Sequence, residues 1–137
     1  MEKQLNKVKS ICIIDDDPIF VYGTKRLITE IDFSDTILTY ENGQDAIEGL
    51  QQMTADGEDL PAVILLDLNM PIMNGWEFLE DFIKIPNAVR LKVAIYIISS
   101  SVDPRDLERI KNYNVVDYYI LKPISPEDLR HILEKAA

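Results

Sequence analysis

"IIDDDPIF" (residues 13–20) sets Asp15, Asp16 and Asp17 directly behind an apolar run. That run, "SICIID" (10–15), has strand length and almost no polar interruption, as suits a strand covered on both faces of a sheet. Pro18 follows the acids, and then Phe20, Leu27, Ile28 and Ile31 recur at helical spacing. The same strand, turn and helix unit returns four more times. Strand-like runs lie at 36–40 ("TILTY"), 62–67 ("AVILLD"), 93–98 ("VAIYII") and 116–121, and helical segments at 18–31, 43–54, 75–84, 104–113 and 126–136. Three helix starts share one device, Asp17-Pro18, Asp103-Pro104 and Ser125-Pro126. Each offers a capping oxygen and then a proline whose missing N–H costs nothing in the first turn.

Five such units predict an α/β fold, a doubly wound five-stranded parallel sheet with helices on both faces. At 137 residues the chain fits a single domain. We expect an N-terminal arm over 1–8, polar and frayed, and the folded domain over 9–137. The net charge of −10, from 24 acidic and 14 basic residues, argues against direct binding to nucleic acid or to an anionic membrane. It suits a cation ligand, or a partner with a basic or apolar face. Cys12 is the single cysteine, which excludes an internal disulfide and a cysteine-cluster metal site. The polar opening "MEKQLNKVKS" and the absence of a long apolar run make the cytoplasm the expected location.

In a sheet of this kind ligands bind beyond the carboxyl ends of the strands. Asp15 to Asp17 follow the first strand, Asp67 the third, Ser99, Ser100 and Ser101 the fourth, and Lys122-Pro123 the fifth. Asp17 reads most simply as a helix cap; Asp15, Asp16 and Asp67 have no such duty. Two carboxylates about 4 Å apart repel by roughly 4 kcal/mol at an effective dielectric of 20. Lys122 offsets only part of this for three of them. A divalent cation completes the balance, and all-oxygen ligation selects Mg²⁺ or Mn²⁺ over zinc. In "LLDLNMPIMNGWEF" (65–78) a Met-Pro turn and Asn74-Gly75 hold Asp67 on a short, stiff connection. A carboxylate beside a metal and a lysine is a credible nucleophile toward phosphorus.

With the acidic doublet after the first strand, "LLDLNMPIMNG" after the third, a hydroxyl after the fourth and "YYILKP" closing the fifth, the chain resembles a response-regulator receiver domain of two-component signalling. The resemblance runs from about residue 9 to 137. The stretches "MTADGEDLPA" and "SSSVDPRDLERI" are similar to those of single-domain regulators coupled to phytochrome-type kinases. The resemblance implies a flavodoxin-like three-layer fold, with Asp67 taking a phosphoryl group from the phosphohistidine of a sensor kinase or a histidine phosphotransfer protein. It implies that Asp16 binds Mg²⁺ directly, Asp15 largely through water, Asp67 itself, and Asn69 through its backbone carbonyl. It further implies that Lys122 pairs with a phosphoryl oxygen, that a cis peptide joins Lys122 to Pro123, and that Ser99 is the switch hydroxyl, with Ser100 the fallback in register. Tyr119 would report the switch on the face formed by helix four, strand five and helix five. Asn69 and Ser101 would tune access of the hydrolytic water.

Two other functions compete. A Mg²⁺-dependent phosphatase with an Asp nucleophile needs a second Asp two residues on, where this chain has Asn69, which shuttles no proton usefully. A receiver-like module acting by binding alone would have no use for the intact set Asp15, Asp16, Asp67, Ser99 and Lys122. The expected role is therefore a phosphoacceptor switch and not a free-standing enzyme. Because the sequence stops at the fifth helix, output is expected through an unknown downstream protein or a phosphorelay, with the fourth-helix face a candidate homodimer surface. His131, Trp76, Met70, Met73 and Cys12 read as surface or packing residues.

Overall fold

The computed structural model describes residues 7–86, 90 and 92–136. Five strands form one sheet: β1 (Ile11–Ile14), β2 (Ile37–Tyr40), β3 (Val63–Asp67), β4 (Ala94–Ser99) and β5 (Val116–Leu121). Their order is β2-β1-β3-β4-β5, and every neighbouring pair is parallel. The helices that follow the five strands, among the described residues, are α1 (Pro18–Glu30), α2 (Gly43–Ala55), α3 (Gly75–Phe82), α4 (Pro104–Arg109) and α5 (Pro126–Ala136). The three-layer flavodoxin-like architecture expected from the sequence is the one present. Among the described residues, no helix is long and apolar enough to cross a membrane.

The unbroken apolar strands are covered on both sides, as their composition requires. All of β1 and β3 is buried. On one face Cys12, Ile14, Ile64, Leu66, Ile95 and Ile97 pack against Ala46, Ile47 and Leu50 of α2 and Phe78, Leu79 and Phe82 of α3. On the other, Ile11, Ile13, Val63, Leu65 and Ile98 meet Ile28 of α1 and Leu129, Ile132 and Leu133 of α5. Strand alternation assigns neighbours to opposite cores.

The capping devices act as their chemistry predicts. Asp17 accepts from the N–H groups of Ile19 and Phe20, Asp103 from that of Arg105, and Ser125 Oγ from that of Asp128. At α3, Asn74 and Glu77 exchange side-chain and backbone bonds in a capping box. The helix expected over 104–113 stops at Arg109 and tightens into a 3₁₀ turn, Ile110–Asn112. No residue of α4 is fully buried, so little packing holds a longer helix there. The expected arm also ends sooner than residue 8. Val8 is buried and its N–H donates to Phe33 O, while Lys7 pairs with Asp32 and Asp35; residues 1–6 lie outside the described residues. Leu65→Ala, in the middle of β3 and wholly buried, should lower the unfolding free energy by about 2–5 kcal/mol, seen as a lower urea midpoint with an unchanged slope.

Candidate functional site

The strand order decides which turns become neighbours. β1 and β3 are adjacent, with Ile14 opposite Leu66, so the chain leaves both strands at one point on the carboxyl edge. Carboxylate oxygens of Asp15, Asp16 and Asp67 there lie within 4.8 Å of one another. Asp15 and Asp67 are buried and Asp16 is exposed. Lys122, just past β5, reaches back across the rim. Its Nζ stands 2.7 Å from Asp15 Oδ2 and 4.0 Å from Asp67 Oδ2. The same ammonium lies 4.5 Å from the centre of the Phe20 ring, a cation–π contact that holds it in an otherwise acidic corner. The peptide bond between Lys122 and Pro123 is cis.

Lys122 thus pairs first with Asp15. Asp15 Oδ1 accepts from the N–H of Asp17 at 2.9 Å. Asp15 Oδ2 is buried, and its close partner is the Lys122 ammonium. Three carboxylates with oxygens within 4.8 Å of one another, facing a single ammonium, keep an excess of negative oxygen that suits a hard cation. The residues present therefore fit Mg²⁺, and the all-oxygen donor set excludes a preference for softer metals.

Asp67 carries the electrostatic cost. Burial pushes its carboxyl up to about 6, helped by the charges of Asp15 and Asp16; Lys122 and the Asn69 N–H pull the other way. That N–H lies 3.4 Å from Asp67 Oδ1. The connection bearing Asp67 is pinned at close range. A Cβ on Gly75 would stand 2.6 Å from Asp67 O and 2.8 Å from Leu68 Cα, and one on Gly43 would stand 2.7 Å from Met73 O. The backbone bonds Gly75 N–H to Leu68 O (3.0 Å) and Gly43 N–H to Met73 O (2.9 Å) occupy that space.

Ser99 ends β4 and is buried, whereas Ser100 and Ser101 are exposed. Its Oγ donates to Ser101 O at 2.9 Å, and Tyr119 Oη donates to the same carbonyl at 2.8 Å. Ser99 and Tyr119 are therefore joined through one backbone oxygen. Tyr118 points away and is exposed. Sequence reasoning missed Phe20 as the lysine's aromatic platform, Gly43 as a clamp, and the Ser101 carbonyl as a shared acceptor. Phe20 was legible only as part of a helical stripe, and a backbone acceptor has no side-chain signature.

A doubly wound parallel sheet with an acid cluster, one lysine and a hydroxyl at its carboxyl edge defines the class of α/β domain. Residues 11–134 match the response regulator receiver domain, and the chain belongs to that family. It is 34% identical to the nitrate/nitrite response regulator protein NarL of Escherichia coli (strain K12) over 93% of this chain and 54% of NarL, so it spans about half of that relative's length. The crystal structure of a two component response regulator from Cytophaga hutchinsonii superposes with a TM-score of 0.87 at 32% identity, covering 96% of this chain and 98% of the other. The bacteriophytochrome response regulator RtBRR superposes at 0.76 with 25% identity over 95% and 78%. The chain is thus a receiver domain of the two-component response-regulator type.

The raised carboxyl has a thermodynamic consequence. Between its unfolded value of 3.8 and about 6, the folded protein holds a proton that the unfolded chain releases. Stability from this group is therefore full below the lower value and lost as pH rises through the upper one. In EDTA at pH 7, Asp67→Asn should be more stable than the native chain, with the gap closing toward pH 4. Urea titrations at the two pH values measure it, and a variant no more stable at pH 7 contradicts the account.

Proposed function

We propose that this chain is a phosphorylation switch in which Asp67 accepts a phosphoryl group from a phosphohistidine on a sensor kinase or a histidine phosphotransfer protein in the cytoplasm. The observation that carries the reading is the convergence of Asp15, Asp16, Asp67 and Lys122 within a chain of the receiver family. An oxygen of Asp67 attacks phosphorus. The O–P bond forms as the N–P bond breaks, and the departing electron pair returns to the imidazole of the donor. Mg²⁺ or Mn²⁺ would be held by Asp15, Asp16, Asp67 and the Asn69 carbonyl, and supplies positive charge against the phosphoryl oxygens. Both oxygens of Asp15 already have neighbours, the Asp17 N–H and Lys122, which supports a role for it through water and leaves the exposed Asp16 for direct contact. Lys122, held over Phe20, is placed to exchange Asp15 for a phosphoryl oxygen.

Signalling follows from the shared acceptor. Once Ser99 turns its hydroxyl toward a phosphoryl oxygen, Ser101 O retains only the Tyr119 bond. The β4–α4 connection and Tyr119 can then rearrange together on the α4-β5-α5 face. That face carries the exposed Val102, Tyr118 and Leu121, apolar surface suited to a downstream protein. Asn69 and Ser101, both exposed, would govern entry of the hydrolytic water.

Incubation with Mg²⁺ and acetyl phosphate should add one phosphoryl group by intact mass. Asp67→Asn and EDTA should each abolish the gain, and a wild-type chain that stays unmodified overturns the reading. The tuning role has its own check: Asn69→Ala or Ser101→Ala should change the dephosphorylation rate by several-fold. Unchanged decay in both variants removes that role.

A further inference from the structure

Lys122 has a fixed root and a free tip. Its backbone N–H donates to Ser99 O at 2.7 Å, which sets where the side chain departs from the end of β5. The four-carbon stem beyond is flexible, and the ammonium at its tip is a compact charge that can settle in more than one direction. One direction leads to the acids, 2.7 Å from Asp15 Oδ2 and 4.0 Å from Asp67 Oδ2. Another leads into water, because Lys122 also lines an open cavity of about 450 Å³ between α1 and the Pro123–Ile124 segment. Phe20 is a wall of that same cavity, and Lys122 Nζ stands over its ring, 4.5 Å from the centre. The face of an aromatic ring attracts an ammonium without taking up its N–H donors. A carboxylate at this position would draw the lysine away from the acid cluster, and an aliphatic side chain would not attract it. The ring holds the charge at the corner and leaves its donors for oxygen.

The ring is placed by the acidic segment itself. Asp15 Oδ1 accepts from Asp17 N–H at 2.9 Å, and Asp17 Oδ1 accepts in turn from Phe20 N–H at 3.4 Å. Pro18 and this cap fix the start of α1, so Phe20 falls in its first turn. The Phe20 ring meets Lys122, and Lys122 returns to Asp15, which closes the circuit on the residue where it began. For phosphoryl transfer the ammonium must exchange Asp15 for a phosphoryl oxygen without leaving the neighbourhood of Asp67. A partner that competes for none of its hydrogen bonds suits that exchange.

We propose that Phe20 is a positioning residue for phosphoryl transfer, acting through Lys122: its ring keeps the ammonium beside Asp67 and out of the adjoining cavity. This deepens the reading of Asp67 as the phosphoacceptor and rests on it. The probe is acetyl phosphate with Mg²⁺, supplied to the full chain. Phe20→Leu keeps an apolar side chain and removes the aromatic face, so kcat for phosphoryl uptake should fall about fivefold with KM for acetyl phosphate unchanged. Phe20→Tyr keeps the face and should stay within about twofold of wild type. A second measurement needs neither metal nor donor. In the wild-type chain the Lys122 ε-methylene protons, assigned by their loss in Lys122→Arg, should show an upfield ring-current shift in NMR spectra. That shift should vanish in Phe20→Leu and persist in Phe20→Tyr. Absence of the shift in wild type, unchanged kcat in Phe20→Leu, or an equal loss in Phe20→Tyr each overturns the positioning role. A slower Phe20→Leu whose Lys122 resonances stay in place overturns it as well. All four outcomes leave the Asp67 chemistry standing, whereas a wild-type chain that takes up no phosphoryl group overturns both readings.

Discussion

Three carboxylates and a single ammonium share one corner of the sheet, and the surrounding structure is arranged around that imbalance. Asp15 is wholly buried and Asp67 nearly so, where an unpaired charge is costly. Lys122 is fixed between Asp15 and the Phe20 ring, so its charge is committed to the acid beneath it more than to Asp67. The remaining tension falls on Asp67, whose carboxyl is held near 6 by burial and by its acidic neighbours. A divalent cation would relieve this stress, because it brings the positive charge that the cluster lacks.

Rigidity keeps the acids from simply swinging apart. Both β1 and β3 are central strands with no exposed residue, so their ends cannot splay without opening both cores. The β3–α3 connection is clamped from two sides by backbone bonds at Gly43 and Gly75, in spaces too small for a Cβ. Against this fixed corner, the β4–α4 side is loose. α4 is short, ends in a 3₁₀ turn and buries no side chain completely. Its Arg109 guanidinium stands 4.3 Å from the centre of the Trp76 ring of α3. Fixed chemistry beside a weakly held helix is the division of stability that a switch requires.

Much of this was legible before any coordinates. Ile, Val and Leu runs gave β1, β3 and β4 because a strand covered on both faces leaves no place for polar side chains. Asp17-Pro18, Asp103-Pro104 and Ser125-Pro126 gave three helix starts because an N-terminal turn needs an acceptor and tolerates proline. Misreadings came where packing overruled pattern. The segment 104–113 has helical spacing throughout, yet only its first half is α-helix. Val8 sits in a polar stretch, yet its N–H bonds to Phe33 O and its side chain joins the core. Lys122 does enter the acid cluster, where it stands closer to Asp15 than to Asp67.

The chain itself determined which side chains could do chemistry, because oxygen ligands, one lysine and a run of serine hydroxyls stand at the strand ends. It also determined that these ends share a rim, since repeated right-handed crossovers lay all five strands parallel. Tertiary structure alone decided how the charges pair, that one carbonyl serves both Ser99 and Tyr119, and that the Phe20 ring meets the Lys122 ammonium. Those outcomes depend on distances of a few ångströms between segments far apart in sequence, and no spacing along a single chain encodes them.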